Sequence, residues 1–196
     1  MMMNFEDKIP ANKQLTADEK IAKKQSAVSD NKTKKLAITG LFIAMNLVLN
    51  QVTIPLGTTM EIGFAFLPIA LIGYLFGPVM AGISAVIADI LGFIFRPAGF
   101  FFPGFTLNAF ISGVIYGLFL HRKKITLLRV ALLRLVNTVL ITLILTPIWL
   151  YIMYETPLVT IPRIIKAVVK YPIDVALLYF VLVAFVKIIE RQKTKI

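Results

Sequence analysis

Polar and apolar positions divide this chain sharply at Lys35: before it charges recur every few residues, and after it apolar runs follow one another with short interruptions. Six runs stand out, at residues 36–52, 62–76, 79–95, 105–120, 127–152 and 164–189. They are long and predominantly apolar, which predicts helices within a membrane. Gly77-Pro78 breaks the chain between the second and third runs, because proline cannot continue a helix and glycine accepts the turn. A hydrocarbon layer about 30 Å thick takes about 20 apolar residues per crossing, so the pattern predicts six crossings. The fold class expected is an all-α integral membrane protein, six transmembrane helices in a compact bundle at residues 35–196. Residues 1–34 form a polar cytosolic extension, disordered or loosely helical.

Composition removes the soluble alternative. Of the 196 residues, 58% are hydrophobic and 16% charged, against about 45–50% and about 25% in soluble domains. Mean hydropathy is +0.84. No room remains for a large extramembrane catalytic domain, and the absence of cysteine excludes disulfides, thiolate metal sites and cysteine nucleophiles.

The net charge of +11 would suggest nucleic acid in a soluble protein. Position argues otherwise. Eight lysines lie at or before Lys35, three cations in the turn at 122–124 and four from Lys187 onward, whereas the outer loops hold Arg96 and Arg163. Lysine and arginine are retained on the cytoplasmic side of short loops, so both termini are expected there. The tail has neither the apolar core nor the cleavage site of a signal peptide. A multi-pass protein of a cell membrane follows.

Charged residues inside the apolar runs carry the chemistry. Asp89 lies within the third run, where an ionised carboxylate costs about 2.5–3.5 kcal/mol unless paired or wet. It should face the bundle interior, as a hydrogen-bond partner of a neighbouring helix or as a proton or cation site. Arg163, Lys166, Lys170 and Asp174 recur at helical spacing on one face of the sixth run. That face lines a polar cavity or snorkels to the headgroups, with Lys170 paired to Asp174. Arg163 suits either an anionic ligand group or an interfacial anchor.

The loop at 96–106 holds two prolines, two glycines, four phenylalanines and Arg96. Such a path suits a flat aromatic ligand with a negative end, stacking on rings while Arg96 takes the charge. An aromatic belt with a snorkelling arginine is the alternative, but a belt has no need of Pro-Gly at both ends. Trp149, Tyr151 and Tyr154 fall on the same side, with Glu61 and Arg163. Together these outer ends predict a pocket opening outward. Small residues four apart, including Gly40 and Ala44, Ala81 and Ala85, and Ala109, Gly113 and Gly117, permit close helix approach within the bundle or against a partner. No phosphate-binding loop appears, so this chain has no such route to ATP. His121 sits in a basic turn without a metal-protease pattern and reads as solvated or capping a helix.

As a set, several segments resemble the substrate-binding S components of energy-coupling factor (ECF) vitamin transporters, above all their folate-specific branch. They are Ile62-Gly-Phe-Ala-Phe-Leu-Pro-Ile-Ala-Leu, Phe76-Gly-Pro, Ala88-Asp-Ile-Leu-Gly, Phe102-Pro-Gly-Phe-Thr, Ile115-Tyr-Gly-Leu, Trp149-Leu and Pro162-Arg-Ile-Ile-Lys. The resemblance implies a non-enzymatic importer subunit that binds a vitamin at the outer face and needs no cofactor of its own. Its partners would be the membrane scaffold EcfT and two EcfA-type ATPases, which use ATP to topple the subunit and carry ligand inward. The substrate site it implies comprises Glu61, Arg96, Phe102, Pro103, Gly104, Phe105, Thr106, Trp149 and Arg163. The docking face comprises Ala37, Gly40 and Ala44, with Ala81 and Ala85. Two positions depart from the pattern: Glu61 stands where a basic residue is expected, and Thr146-Pro147 precedes Trp149-Leu150 where Asn-Thr is expected. Glu61 would repel folate's glutamate tail and could bond a pterin edge, so pantothenate or a hydroxymethylpyrimidine-type precursor stays open beside folate. Outside this family, two readings remain: a membrane-embedded enzyme using Asp89 or the Lys170 and Asp174 pair, and a structural partner held by its small-residue faces.

Overall fold

A computed structural model describes residues 17–56, 60–97, 100–155 and 161–193. Six helical segments follow one another among these residues: α1 (Ala17–Gln51), α2 (Phe66–Phe76), α3 (Pro78–Phe95), α4 (Pro103–Leu120), α5 (Leu127–Tyr154) and α6 (Ile161–Lys193). The chain divides into two compact units, residues 1–37 and 38–196. Of the first, the described part is the opening stretch of α1, exposed at residues 32–37. Apart from Ala37, the residues discussed below belong to the second unit.

Local chemistry sets the element ends. Pro78 and Pro103 open α3 and α4, where a fixed φ is already helical and the missing N–H would have had no partner. Gly77 links α2 to α3 at φ 88°, a region glycine enters without steric penalty. There the backbone passes so close to α4 that a Cβ on Gly117 would meet the backbone of Gly77 at 2.7 Å and Pro78 closer still. Thr126 caps α5 by accepting from the Arg129 N–H at 3.4 Å. Within α5, Thr138–Leu145 is a π-helix, closed by the Thr146 N–H reaching the Ile141 carbonyl five residues back.

Two expectations need correction. The second apolar run is not helical from Ile62: β1 (Thr53–Leu56) pairs antiparallel with β2 (Met60–Gly63), Thr53 opposite Gly63, and α2 begins at Phe66. The β-branched residues around Thr53 and Ile54 favour extended backbone over helix. Nor is 96–106 irregular throughout. Pro103, Gly104, Phe105 and Thr106 form the first turn of α4, because proline at its first position starts the helix there.

Among the described residues, four helices are long and apolar enough to cross a membrane: Pro78–Phe95, Pro103–Leu120, Leu127–Tyr154 and Ala167–Ile188. α1 falls outside that group because Asn46, Asn50 and Gln51 interrupt its apolar end. α2 has 11 residues and rises about 16 Å, roughly half the hydrocarbon thickness. Its residues Leu67 through Gly73 are all buried, as the central layer of a core that includes Ile72, Tyr116, Leu120, Leu133 and Leu178. Ala81 and Ala85 are buried too, and a Cβ on Gly113 would strike the Ala81 backbone. These small residues bring α3 against α4 and present no outward docking face, contrary to the expectation for them.

Candidate functional site

Two cavities meet at Asp89 and Phe93 of α3. The larger, about 550 Å³, lies between α1, α2, α3 and α4. Asn46 and Asn50 enter it from α1, Phe66 from α2, Asp89 and Arg96 from α3, and Ser112 and Tyr116 from α4. The smaller, about 310 Å³, is walled by Phe100, Phe101, Phe102 and Phe105 and by Leu150 and Tyr154 of α5. A polar chamber thus stands beside an aromatic annex, with one carboxylate at the seam.

That carboxylate is held from α4, where the Thr106 hydroxyl donates to Asp89 Oδ2 at 2.8 Å. The hydrogen bond to a neighbouring helix expected of Asp89 is thus present. Asn46 donates to the Ala65 carbonyl at the start of α2, fixing the rim of the chamber. Arg96 ends α3, its N–H bonded to the Gly92 carbonyl at 2.9 Å while its side chain lines the chamber.

Behind the chamber, α4 and α5 are joined by polar rungs. Asn108, Ser112 and Tyr116 recur four apart on one face of α4. Trp149 Nε1 donates to Asn108 Oδ1 at 3.0 Å, and Asn108 donates to Thr146 Oγ1 at 3.3 Å. Asn137 donates to Ser112 Oγ at 2.6 Å, and Arg134 donates to the Tyr116 hydroxyl at 2.6 Å. Arg134 also lies 4.3 Å above the Phe66 ring and forms a buried ion pair with Asp174 of α6. One guanidinium therefore ties four helices together and braces two residues of the chamber wall.

The anticipated residues are distributed among these features. Arg96 lines the chamber, Phe102 and Phe105 the annex, and Thr106 holds Asp89. Trp149 lines neither cavity; it packs on Phe102 with ring centroids 5.7 Å apart. Pro103 and Gly104 form the turn beneath that pair, where a Cβ on Gly104 would stand 2.7 Å from the Trp149 ring and closer to Phe102. The Glu61 and Arg163 side chains lie outside the described residues, although their backbones belong to β2 and α6. Gly40 and Ala44 of α1 are exposed, with no other group within 4 Å of where a Gly40 side chain would begin. Ala37, at the end of the other unit, is exposed as well. His121 packs beneath Gly77, its ring Nδ1 3.2 Å from the Tyr74 carbonyl, a structural capping role.

The sequence reading missed Asn46, Asn50, Ser112, Tyr116 and Arg134. A signal was present: pairs of polar residues four apart on otherwise apolar helices, and a cation within a membrane span, each of which must face something polar.

A family model described as "ECF transporter, substrate-specific component" matches residues 34–190. The chain is 40% identical over 121 residues to the "Folate transporter FolT" of Clostridium novyi (strain NT), covering 61% of this chain and 70% of that one. It is 32% identical over 160 residues to the "Folate transporter FolT" of Leuconostoc mesenteroides subsp. mesenteroides, covering 76% and 85%. A solved structure described as "Crystal structure of FolT bound with folic acid" superposes with a TM-score of 0.69 at 44% identity, covering 76% of this chain and 91% of that one.

Proposed function

This chain belongs to the ECF transporter family as a substrate-specific component, and we propose that the solute it takes is folate. The observation that carries this reading is the combination of close likeness to a folate-bound FolT with a chamber of about 550 Å³. That volume lies within the roughly 300–1,000 Å³ that hold small organic ligands. Its chemistry suits the molecule. Arg96 offers a bidentate partner to a carboxylate of the glutamate tail, Asp89 and the asparagines offer acceptors and donors to a heterocycle, and Phe66 and Phe93 offer faces for stacking.

The remaining parts of the reading follow from family membership and the membrane character of the chain. We infer six crossings, with both basic termini on the cytoplasmic side of a bacterial plasma membrane. The scaffold EcfT docks on the exposed Gly40 and Ala44 of α1, where a small-residue stripe lets a partner helix come close. Two EcfA-type ATPases attached to that scaffold hydrolyse the ATP that drives release inward, and the chain binds its vitamin without a cofactor.

Titration of the purified protein with folate, followed through its one tryptophan, tests this directly. Trp149 abuts the Phe102 wall of the annex, so ligand entry should change its emission with saturation at nanomolar to micromolar folate. Saturation by pantothenate or a hydroxymethylpyrimidine in place of folate would overturn the assignment of solute. No response to any of them would overturn the importer reading.

A further inference from the structure

Ser112 and Tyr116 form a floor that the mechanism so far leaves unused. Both residues line the chamber, one turn apart on α4, and both hydroxyls accept a hydrogen bond from α5: Ser112 from Asn137 and Tyr116 from Arg134, each at 2.6 Å. A hydroxyl carries a single hydrogen. Since both oxygens are receiving from α5, neither hydrogen is directed at those two partners. If the two hydroxyls bond each other, one hydrogen is consumed and the other is still free of that pair. At least one O–H is therefore left for an acceptor other than these α5 partners, on the chamber side or one turn back on α4, and the guanidinium behind Tyr116 strengthens it as a donor. Asp89, on the facing helix α3, is acceptor-only when ionised and is held by Thr106. With that O–H on the chamber side, the chamber has a donating floor and an accepting wall.

We propose that Ser112 and Tyr116 are the residues that read the acceptor edge of the ligand's heterocycle, with Arg134 and Asn137 as positioning residues that aim their hydroxyls into the chamber. The proposal rests on the folate reading and narrows it. A 4-oxo pterin presents a carbonyl oxygen to the floor and N–H donors to Asp89, whereas a 4-amino pterin presents an amine to a floor that is itself donating. A site built to satisfy a hydrogen bond rejects a ligand that leaves it unmade.

The test compares folate with its 4-amino analogue on the full-length protein, measuring both affinities by tryptophan titration and the thermal midpoint of the ligand-free form. Wild type should bind folate more tightly. Tyr116→Phe and Ser112→Ala should each weaken folate by about tenfold, the value of one buried hydrogen bond, and leave the 4-amino analogue within about twofold. The paired exchange Arg134→Met with Asp174→Leu should narrow the same preference, and Arg134→Lys, which keeps a donor and the charge, should retain it. A purely packing role would weaken both ligands alike, so equal losses overturn the proposal, as does an unchanged preference in both hydroxyl variants. Failure of wild type to bind folate at all overturns the folate reading and this inference with it, and is distinguishable because it appears before any substitution.

Discussion

Gly104→Ala places a methyl group against the packed rings of Phe102 and Trp149. Its Cβ would stand 2.7 Å from the Trp149 ring and nearer still to Phe102, so both rings must move by about 1 Å to reach ordinary van der Waals separation. The displaced groups are not independent. Trp149 and Phe102 pack at 5.7 Å, and the indole N–H spans 3.0 Å to Asn108. Moving the indole sacrifices that hydrogen bond, worth about 0.5–1.5 kcal/mol, and the aromatic pairing, worth about 0.5–1.5 kcal/mol. The total of roughly 1–3 kcal/mol matches the usual cost of overpacking a closed site. Gly104 also opens the turn that carries Thr106, which holds Asp89 between the two cavities. Folate affinity should therefore fall about tenfold, equivalent to about 1.4 kcal/mol, with a red-shifted emission as the indole loses its packed setting. Fluorescence titration of wild type and variant in the same detergent measures both effects. Unchanged emission with undiminished affinity would refute the account of the Trp149 and Phe102 contact as a frame for the site.

Other substitutions probe the supporting structure. Arg134→Met removes the ion partner observed for buried Asp174 and should destabilise the protein by about 3–5 kcal/mol, whereas adding Asp174→Leu should recover most of the loss in thermal unfolding. Gly117→Ala drives a Cβ into the backbone at Gly77 and Pro78, which no rotamer change relieves, so folded yield and thermal midpoint should drop sharply; a midpoint within error of wild type would contradict the close approach. Thr106→Val should cost about 1–3 kcal/mol by leaving the Asp89 carboxylate without its donor, and Asp89→Asn, which keeps an acceptor for Thr106, should cost less. Gly40→Leu adds bulk where nothing lies within 4 Å, so folate binding should survive while co-purification with the scaffold is lost.

The helices were legible because a membrane leaves few alternatives for an apolar run, and the breaks at Gly77-Pro78 and Pro103 carried their own steric signature. The hairpin at Thr53–Leu56 and Met60–Gly63 was not, since short extended segments lack enough period to compete with an adjoining apolar stretch. In the site, Arg96 and the phenylalanines announced themselves by being costly or unusual where they stand. Ser112 and Tyr116 did not, because either residue in isolation is unremarkable in a membrane helix. Only the pairing of α4 with α5 reveals that both receive hydrogen bonds from behind. Spacing along one helix could suggest Lys170 beside Asp174, but the ion pair of Asp174 with Arg134, across the bundle, is one that no periodicity within α6 could indicate.

The π-helical segment of α5 explains how one helix can serve the whole length of α4. Asn137 and Thr146 are separated by nine residues, two and a half turns at about 3.6 residues per turn, which would set them on opposite faces of an ideal α-helix. Both nevertheless engage the same face of α4, Asn137 through Ser112 and Thr146 through Asn108. Between them runs Thr138–Leu145, with wider turns and hydrogen bonds to the fifth residue back. Wider turns mean less rotation per residue, and the shortfall accumulated over this segment brings Thr146 and Trp149 round to the side of Asn137 and Arg134. An uninterrupted α-helix would turn either the Arg134 end or the Trp149 end away from α4. The first choice would leave the chamber floor without its positioning groups, and the second would leave the Phe102 wall without its indole. The irregular segment thus lets a single helix brace both cavities, and it lies between the two sets of contacts it aligns.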